Sequence, residues 1–332
     1  MSNTKHSRTR SILTFLVSIV LVAVASLLFF NRQLVLDTMA VWSYEPTRAM
    51  AAITERVGFT KDGERIFYAT KPALESADGF NSACPRQETN SPILGCYTAD
   101  SIYIYDITNH ELDGMEEVTA AHEMLHAAWA RTSGTDKEKL ETKLRAAYEK
   151  LDEGSIKDRM DYYSRTEPTE LTNELHSILG TEVPNLDASL ETYYSQFFNR
   201  TKVLALHDQY NSVYTSLQGR ATELFNTMNT LSTSIQSRSE QYDSKMTQLS
   251  ADVDAFNTRA SNGSFASQAQ FNNERAELLR RTSELETERT SLNTDIDAYN
   301  RYFAEYEEIA KKLDLLNSSI DSFNKFEQVP AV

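Results

Sequence analysis

An uncharged apolar run near the N-terminus places the strongest limit on how this chain can fold. The segment from Ser11 to Phe30 reads SILTFLVSIVLVAVASLLFF and contains no charged side chain. A helix rises about 1.5 Å per residue, so this run would span about 30 Å, the thickness of the hydrocarbon core of a bilayer. We therefore expect residues 11–30 to form a transmembrane helix.

The charges before this run predict its orientation. The preceding residues include Lys5, Arg8 and Arg10 and no acid, so the positive-inside rule places the N-terminal residues 1–10 in the cytoplasm. Everything after the run would then be extracytoplasmic, in a single-pass protein of the cell membrane. The alternative is a cleaved signal peptide with Ala23-Val24-Ala25 as its small-residue site. The apolar residues continue beyond that tripeptide, which favours the anchor.

Composition excludes one class of partner. The chain has 48 acidic and 33 basic residues and a formal net charge of −15. Nucleic acid is therefore not an expected partner, because binding to phosphates requires a basic face. The 332 residues suffice for two or more domains.

The two cysteines, Cys84 and Cys96, are close in sequence. An even, closely spaced pair in an exported chain predicts a disulfide. It would close a loop containing Pro85 and Pro92 and stabilise the fold by about 3 kcal/mol in the chain-entropy model. The alternative is two unrelated buried thiols.

Residues 31–200 have the mixed patterning of an α+β domain. Pro46 suits the first turn of a helix that ends before Gly58. The alternating segments ERIFYAT and DSIYIYDIT, residues 64–70 and 100–108, predict two strands. Asp113 and Glu116 resemble a capping box at the start of a helix that ends near Gly134. Further helices are predicted over residues 136–151, 166–180 and 187–198.

Residues 201–326 have the heptad spacing of a coiled coil. Apolar residues recur by threes, fours and sevens on both sides of a break at Ser261-Asn262-Gly263-Ser264. Two such arms around one turn predict an antiparallel helical hairpin, with a parallel dimer of each arm as the alternative. Residues 327–332 would form a short tail. The seam positions before the break are Leu217, Ala221, Leu224, Met228, Leu231, Ile235, Tyr242, Leu249 and Phe256, and those after it are Leu278, Leu285, Leu292, Ile296, Tyr299, Phe303, Tyr306, Ala310, Leu313 and Ile320.

The pentapeptide from His122 to His126, HEMLH, carries the chemistry of the middle region. On a helix, His122 and His126 lie one turn apart and can reach one metal ion. Glu123 is then placed to take a proton from a metal-bound water, whose pKa zinc lowers toward about 7. The alternative is a pair of surface histidines on an amphipathic helix.

The strand SIYIYDIT followed by the helix EVTAAHEMLHAAW resembles the core of the zincin metallopeptidases. The resemblance covers roughly residues 45–200 and is specific at the pentapeptide alone. It implies a zincin-like fold, a bound Zn²⁺ with His122 and His126 as ligands, and hydrolysis of peptide bonds with Glu123 as general base. It also implies that the strand lies at the edge of the cleft and pairs with the extended backbone of the substrate.

A catalytic zinc usually has a third protein ligand. The residues after His126, AAWARTSGT, lack the glycine and third histidine of the metzincin continuation. Glu174 lies near the edge of the apolar stripe of a later helix, in an arrangement that resembles the gluzincins, and is the predicted ligand. His176 is the alternative ligand, or a donor to the transition-state oxyanion. Glu174 would otherwise be a solvated helix acid.

Together these features predict a zinc-dependent endopeptidase that acts on exported or cell-envelope proteins. The alternative is a membrane-tethered coiled-coil scaffold or adaptor with an inactive or regulatory zincin domain. The intact Glu123 favours the enzyme, because an inactive copy does not need the base. The coiled coil would recruit a substrate or a protein partner in either case.

Overall fold

The computed structural model describes residues 4–84, 93–152 and 154–322, with side chains from residue 15 onward. It divides into a first unit, Met1–Val213 with Leu316–Val332, and a second unit, Tyr214–Leu315. Helices predominate, with one small sheet. The elements are α1 (Thr4–Phe30), α2 (Arg32–Trp42), α3 (Arg48–Val57), α4 (Lys61–Ala69), β1 (Ala73–Glu75), α5 (Ala77–Ala83), β2 (Gly95–Thr98), β3 (Ser101–Tyr105), α6 (Met115–Arg131), α7 (Gly134–Tyr148), α8 (Ser155–Thr166), α9 (Leu171–Glu182), α10 (Ala188–Tyr194), α11 (Arg200–Ser261) and α12 (Gln268–Ile320).

Helix α6 forms the centre of the first unit. It packs against α3, α4, α9 and two strands. Ala120, Ala121 and Ala127 are fully buried, and so are Met124 and Leu125. The small alanine side chains let neighbouring backbones approach α6 closely, and the larger side chains fill the space between elements. The helix that carries the HEMLH pentapeptide is therefore held on nearly every side.

The sheet has the strand order β1-β3-β2. β1 runs parallel to β3, and β2 runs antiparallel to it, with Cys96 opposite Tyr103. Ile102 and Ile104 of β3 are fully buried, as the alternating pattern of this segment predicts. The expectation that this strand pairs with the backbone of a substrate is wrong, because β3 already pairs with β1 on one side and with β2 on the other. β2 is an edge strand of the described sheet.

The predicted strand over residues 64–70 is also wrong, since residues 64–69 belong to α4 and Thr70 is its C-cap. Thr60 provides the reason, because its side chain accepts a hydrogen bond from Gly63 N and so caps the helix. Ile66 and Phe67 are buried on one helical face. Alternation over a few residues does not distinguish a strand from a short helix whose N-cap lies outside the window.

The start of α6 differs from the predicted capping box. Gly114, at φ 98°, precedes the first helical residue. Glu116 does not reach back to Asp113; its Oε1 accepts a hydrogen bond from Ile107 N at 2.8 Å. Asp113 pairs with Arg56 of α3 instead. Tertiary partners thus replace the local cap.

The other predicted helices of this region are present with shifted ends. α3 is capped by the Thr47 side chain and ends at Gly58, whose φ of 69° suits a left-handed C-cap. The helix expected from residue 166 begins at Leu171, and the preceding residues form α8, which the sequence analysis did not predict. The Cys84 and Cys96 sulfur atoms are 1.95 Å apart in a disulfide. Pro85 and Pro92 lie outside the described residues.

The second unit is an antiparallel hairpin of α11 and α12. Arg220 pairs with Glu305, and Arg259 near the turn pairs with Glu274, so sequence positions on the two arms run in opposite directions. The expected seam holds in part. Ile296 and Phe303 are 38% and 45% exposed, and Ala310 is also exposed. The buried seam positions of this unit are Leu224, Met228, Leu249, Phe256, Leu285 and Leu292.

The apolar N-terminal region does not form a single straight span among the residues with described side chains. No single helix there is long and apolar enough to cross a membrane. The segments Phe15–Phe30 and Arg32–Trp42 meet the length and composition requirement together, with a bend of 74° between them.

Candidate metal centre

Helix α6 brings His122, Glu123 and His126 into one group. Their potential ligand atoms all lie within 4.8 Å of one another. The two imidazole rings are one helical turn apart, with their centroids separated by 4.8 Å. Glu123 and His126 are buried, and His122 is partly exposed. The group therefore forms a mostly enclosed set of nitrogen and oxygen donors with one more open side.

Helix α9 supplies a second carboxylate to this group. Glu174 Oε1 lies 3.4 Å from His126 Nε2, and Glu174 Oε2 lies 3.6 Å from His122 Nε2. The close approach of α9 to α6 depends on Gly180, because a Cβ there would lie 2.6 Å from Leu125 Cδ1. The predicted third ligand is thus beside both predicted histidine ligands.

Arg200 fixes the far end of α9. Its guanidinium donates to the carbonyl oxygens of Leu179 and Val183 and pairs with Glu191. The last carbonyls of a helix have no partner within that helix, so this arginine supplies donors that the helix lacks. It anchors α9, and hence Glu174, to the start of α11.

Ser177 orients one histidine of the group. Its hydroxyl oxygen lies 3.3 Å from His126 Nδ1. When Nδ1 carries the ring proton, it donates to this oxygen and leaves the lone pair of Nε2 directed at Glu174. Ser177 was not among the predicted site residues, although its position three residues after Glu174 places both on one face of a helix.

His176 lies in a different environment. Its side chain is fully buried, and Nε2 is 2.9 Å from the Tyr193 hydroxyl. The rings of Trp129 and Tyr194 pack against it at centroid distances of 5.2 and 5.6 Å. Burial, together with the nearby His126 and His122, lowers the pKa of His176 to about 3. The ring is therefore neutral and part of an aromatic cluster, and its bonded nitrogen faces Tyr193.

The charges of the group shift its pKa values in opposite directions. Burial raises the pKa of Glu123, and the neighbouring histidines only partly offset this effect. For Glu174, burial is outweighed by His126 and His122, with a further contribution from Arg159, and its pKa falls to about 2. Glu174 is thus a permanent carboxylate, whereas Glu123 holds a proton more readily than an ordinary glutamate.

Glu123 also lies beside the edge strand β2. A Cβ on Gly95 would be 2.7 Å from both Cγ and Oε1 of Glu123, so any larger residue at this position would force the Glu123 side chain to shift. Sequence analysis did not identify Gly95. The position of Gly95 next to Cys96, at the start of a short strand, was the available signal, because a glycine in a strand often marks a close approach of another element.

The chain was compared with known proteins at three levels. No family model, no curated protein and no solved structure matches it. The residues and geometry of this chain therefore provide the basis for inferring its function.

Proposed function

We propose that this protein is a zinc-dependent endopeptidase of the zincin type, with a gluzincin-like ligand set of His122, His126 and Glu174. The observation that carries the proposal is the placement of the Glu174 carboxylate between the two Nε2 atoms, at 3.4 and 3.6 Å. A zinc peptidase accounts for two histidines and two glutamates that lie together in a mostly buried site.

The spacing of these atoms fits a metal better than direct hydrogen bonds. Hydrogen bonds between nitrogen and oxygen span about 2.7–3.2 Å, and both contacts of Glu174 are longer. Two ligand atoms that each lie about 2.1 Å from a tetrahedral zinc are about 3.4 Å apart. Two histidines and one glutamate also form a known catalytic zinc set that leaves one position open.

Glu123 is the proposed general base. Bound zinc would supply Lewis-acid activation of water and of the peptide carbonyl. The Glu123 carboxylate takes the water's proton and returns it to the leaving amine, and its raised pKa brings it nearer to neutrality, where such transfer is efficient. A hydrogen bond from the protonated Nδ1 of His126 to the Ser177 hydroxyl would leave Nε2 of His126 free to bind the metal.

The edge strand β2 is the proposed docking site for the substrate backbone. β2 pairs with β3 on one side and starts at Gly95, beside Glu123. An extended peptide can add to such an edge through main-chain hydrogen bonds, which would bring its backbone next to the base. Peptides or proteins of the cell envelope are therefore the proposed substrates, and β2 replaces β3 in the role that the resemblance implied.

The proposed location is the cell membrane, with residues 1–10 in the cytoplasm and the body of the chain outside. The apolar segment Phe15–Phe30 has exposed side chains throughout, and the disulfide suits an oxidising compartment. A helix that is apolar on every side is unfavourable in water, so this segment is expected to lie in a membrane.

A second candidate is a membrane-tethered scaffold whose zincin-like part is inactive or regulatory. The observation that favours it is the long hairpin of α11 and α12, which presents Phe225, Met246 and Leu279 at 51%, 41% and 55% exposure. A measurement of peptide hydrolysis distinguishes the two candidates, because the scaffold would not hydrolyse peptides and would not need Glu123 as a general base.

The test combines metal analysis with a screen of peptide hydrolysis on the full chain. We expect about one zinc per chain, loss of zinc in His126→Ala, and retained zinc without hydrolysis in Glu123→Gln. Glu111→Gln is a matched control, because Glu111 is an exposed acid outside the group. Hydrolysis at the wild-type rate by Glu123→Gln would exclude the mechanism, and zinc that persists in His126→Ala would exclude the site.

A further inference from the structure

Helix α2 has a polar contact face that is fixed to the first unit. Asp37 is 2% exposed. Its carboxylate accepts hydrogen bonds from Arg65 of α4 at 3.0 Å and from Arg131 at the end of α6 at 2.9 Å. Arg131 also donates to the Tyr97 hydroxyl on β2, at 3.4 Å. One face of α2 is thus bound to the helix that carries the HEMLH pentapeptide.

The opposite face of α2 is apolar and exposed. Leu36, Met39 and Trp42 are 57%, 62% and 86% exposed. At 100° per residue they fall, with Val35, within one arc of about 120° centred opposite Asp37. The described residues leave most of the surface of Leu36, Met39 and Trp42 uncovered, although burial of large apolar side chains away from water is favourable.

The position of α2 in the chain indicates what covers this face. Asn31 alone separates α2 from the apolar segment Phe15–Phe30, and the two helices meet at 74°. The 11 residues of α2 extend about 16 Å, so this bend limits its rise along the axis of α1 to about 5 Å. The headgroup region of one leaflet is about 5–8 Å thick. A helix that leaves the hydrocarbon core at this angle therefore stays within the interface.

We propose that α2 is an interfacial helix, with the exposed face of Leu36, Met39 and Trp42 in the headgroup region of the outer leaflet. This inference rests on the proposed membrane anchor and goes beyond it. The body of the first unit packs on the Asp37 face, which leaves the opposite face available to the bilayer from which α1 would emerge. Trp42 has the amphipathic ring that is enriched at membrane interfaces, and Arg32 near the anchor can reach lipid phosphates.

The contacts of Asp37 give this arrangement a consequence for the proposed site. Arg131 follows His126 by five residues, which is about 7.5 Å along α6. A helix held at the lipid surface is therefore linked through Asp37 and Arg131 to the active-site helix and to the edge strand. The cleft keeps a fixed orientation to the membrane and does not move freely on a tether.

The experiment uses the full chain in vesicles that contain lipids brominated near the headgroup end of the acyl chain. The chain has two tryptophans, so Trp129→Phe leaves Trp42 as the sole reporter. We expect Trp42 emission to be blue-shifted and largely quenched by the brominated lipid. The matched control, Trp42→Phe, leaves Trp129 inside the first unit, and its emission should be unaffected.

A second variant tests the face itself. Met39→Glu in the Trp129→Phe background should restore most of the Trp42 emission, whereas Thr38→Glu, outside the arc, should not. Unquenched Trp42 in a chain that stays with the vesicles after urea extraction would overturn the interfacial helix and leave the anchor intact. A chain that urea removes from the vesicles would overturn both. Neither readout depends on zinc or hydrolysis.

Discussion

Glu174 and Ser177 lie on one face of α9, and His176 lies between them in sequence but on another face. A difference of two residues turns a helical side chain by about 200°, so His176 does not share the face of α9 that carries Glu174. Its Nε2 bonds instead to Tyr193. The choice between Glu174 and His176 as third ligand is thus a matter of helix phase.

At the residue scale, we expect Glu174→Ala to weaken zinc binding by at least about 100-fold. The substitution removes one of the three proposed ligands, and it is the one that carries a negative charge. His176→Ala should keep zinc and lower the stability of the first unit by about 2 kcal/mol or more, because it leaves a cavity among aromatic rings. Zinc affinity by competition with a chelator, and denaturant unfolding, measure the two effects.

The control for this pair is Glu170→Ala, an exposed glutamate one turn before Glu174. It should change neither quantity appreciably. If His176→Ala lost the metal and Glu174→Ala retained it, the gluzincin-like ligand set would be refuted, although a peptidase with a different third ligand would remain.

At the scale of elements, two glycines on neighbouring elements allow β2 and α9 to pack closely against α6. Gly95 lets β2 approach Glu123, and Gly180 lets α9 approach Leu125. Each glycine lies where a Cβ would collide with α6 or its side chains. The site is therefore built by close packing of a strand and a helix on opposite parts of one central helix.

The contacts that Asp37 makes between α2 and α6 predict that its substitution strongly destabilises the first unit. We expect Asp37→Ala to destabilise the first unit by about 3–5 kcal/mol, because Arg131 loses its carboxylate while it remains 13% exposed. Asp62→Ala is the matched control: Asp62 pairs with the same Arg65 but is 73% exposed, so its loss should cost about 0–1 kcal/mol. Urea unfolding measures both, and equal losses would show that Asp37 is not a structural link.

At the scale of the whole molecule, the chain combines a packed unit with a hairpin whose buried residues are sparse. The hairpin is held by a few apolar positions and by ion pairs such as Arg238 with Glu288 and Asp295. All four residues of the candidate metal centre belong to the first unit, so bound metal should stabilise that unit alone.

Removal of zinc by a chelator should therefore lower the unfolding midpoint of the first unit and leave that of the hairpin unchanged. Both tryptophans lie before residue 214, so their emission follows the first unit, while the helical circular dichroism follows both units. His126→Ala should unfold at the lowered midpoint without further response to the chelator. A chelator-dependent shift in the hairpin transition would contradict the assignment of the metal to the first unit.

Local patterns in the sequence were enough to predict several parts of this protein. Four features agree with the structure: the buried alternation of β3, the end of α3 at Gly58, the two hairpin arms and the pairing of Cys84 with Cys96. Pro46 lies before the N-cap of α3 and not in its first turn. These features depend on periodicity, on capping residues or on two cysteines that have no other partner. The spacing of HEMLH likewise required only that its segment be helical.

Tertiary contacts decided the rest. The segment of α4 alternates like a strand, and packing of Ile66 and Phe67 with a cap at Thr60 makes it a helix. The order of the strands, which makes β2 an edge beside Glu123, depends on long-range pairing that no local pattern encodes. The approach of Glu174 to the histidines depends on how α9 packs on α6 at Gly180. Sequence periodicity specifies which face of an element is buried, whereas the partner of that face is set by the packing of the whole unit.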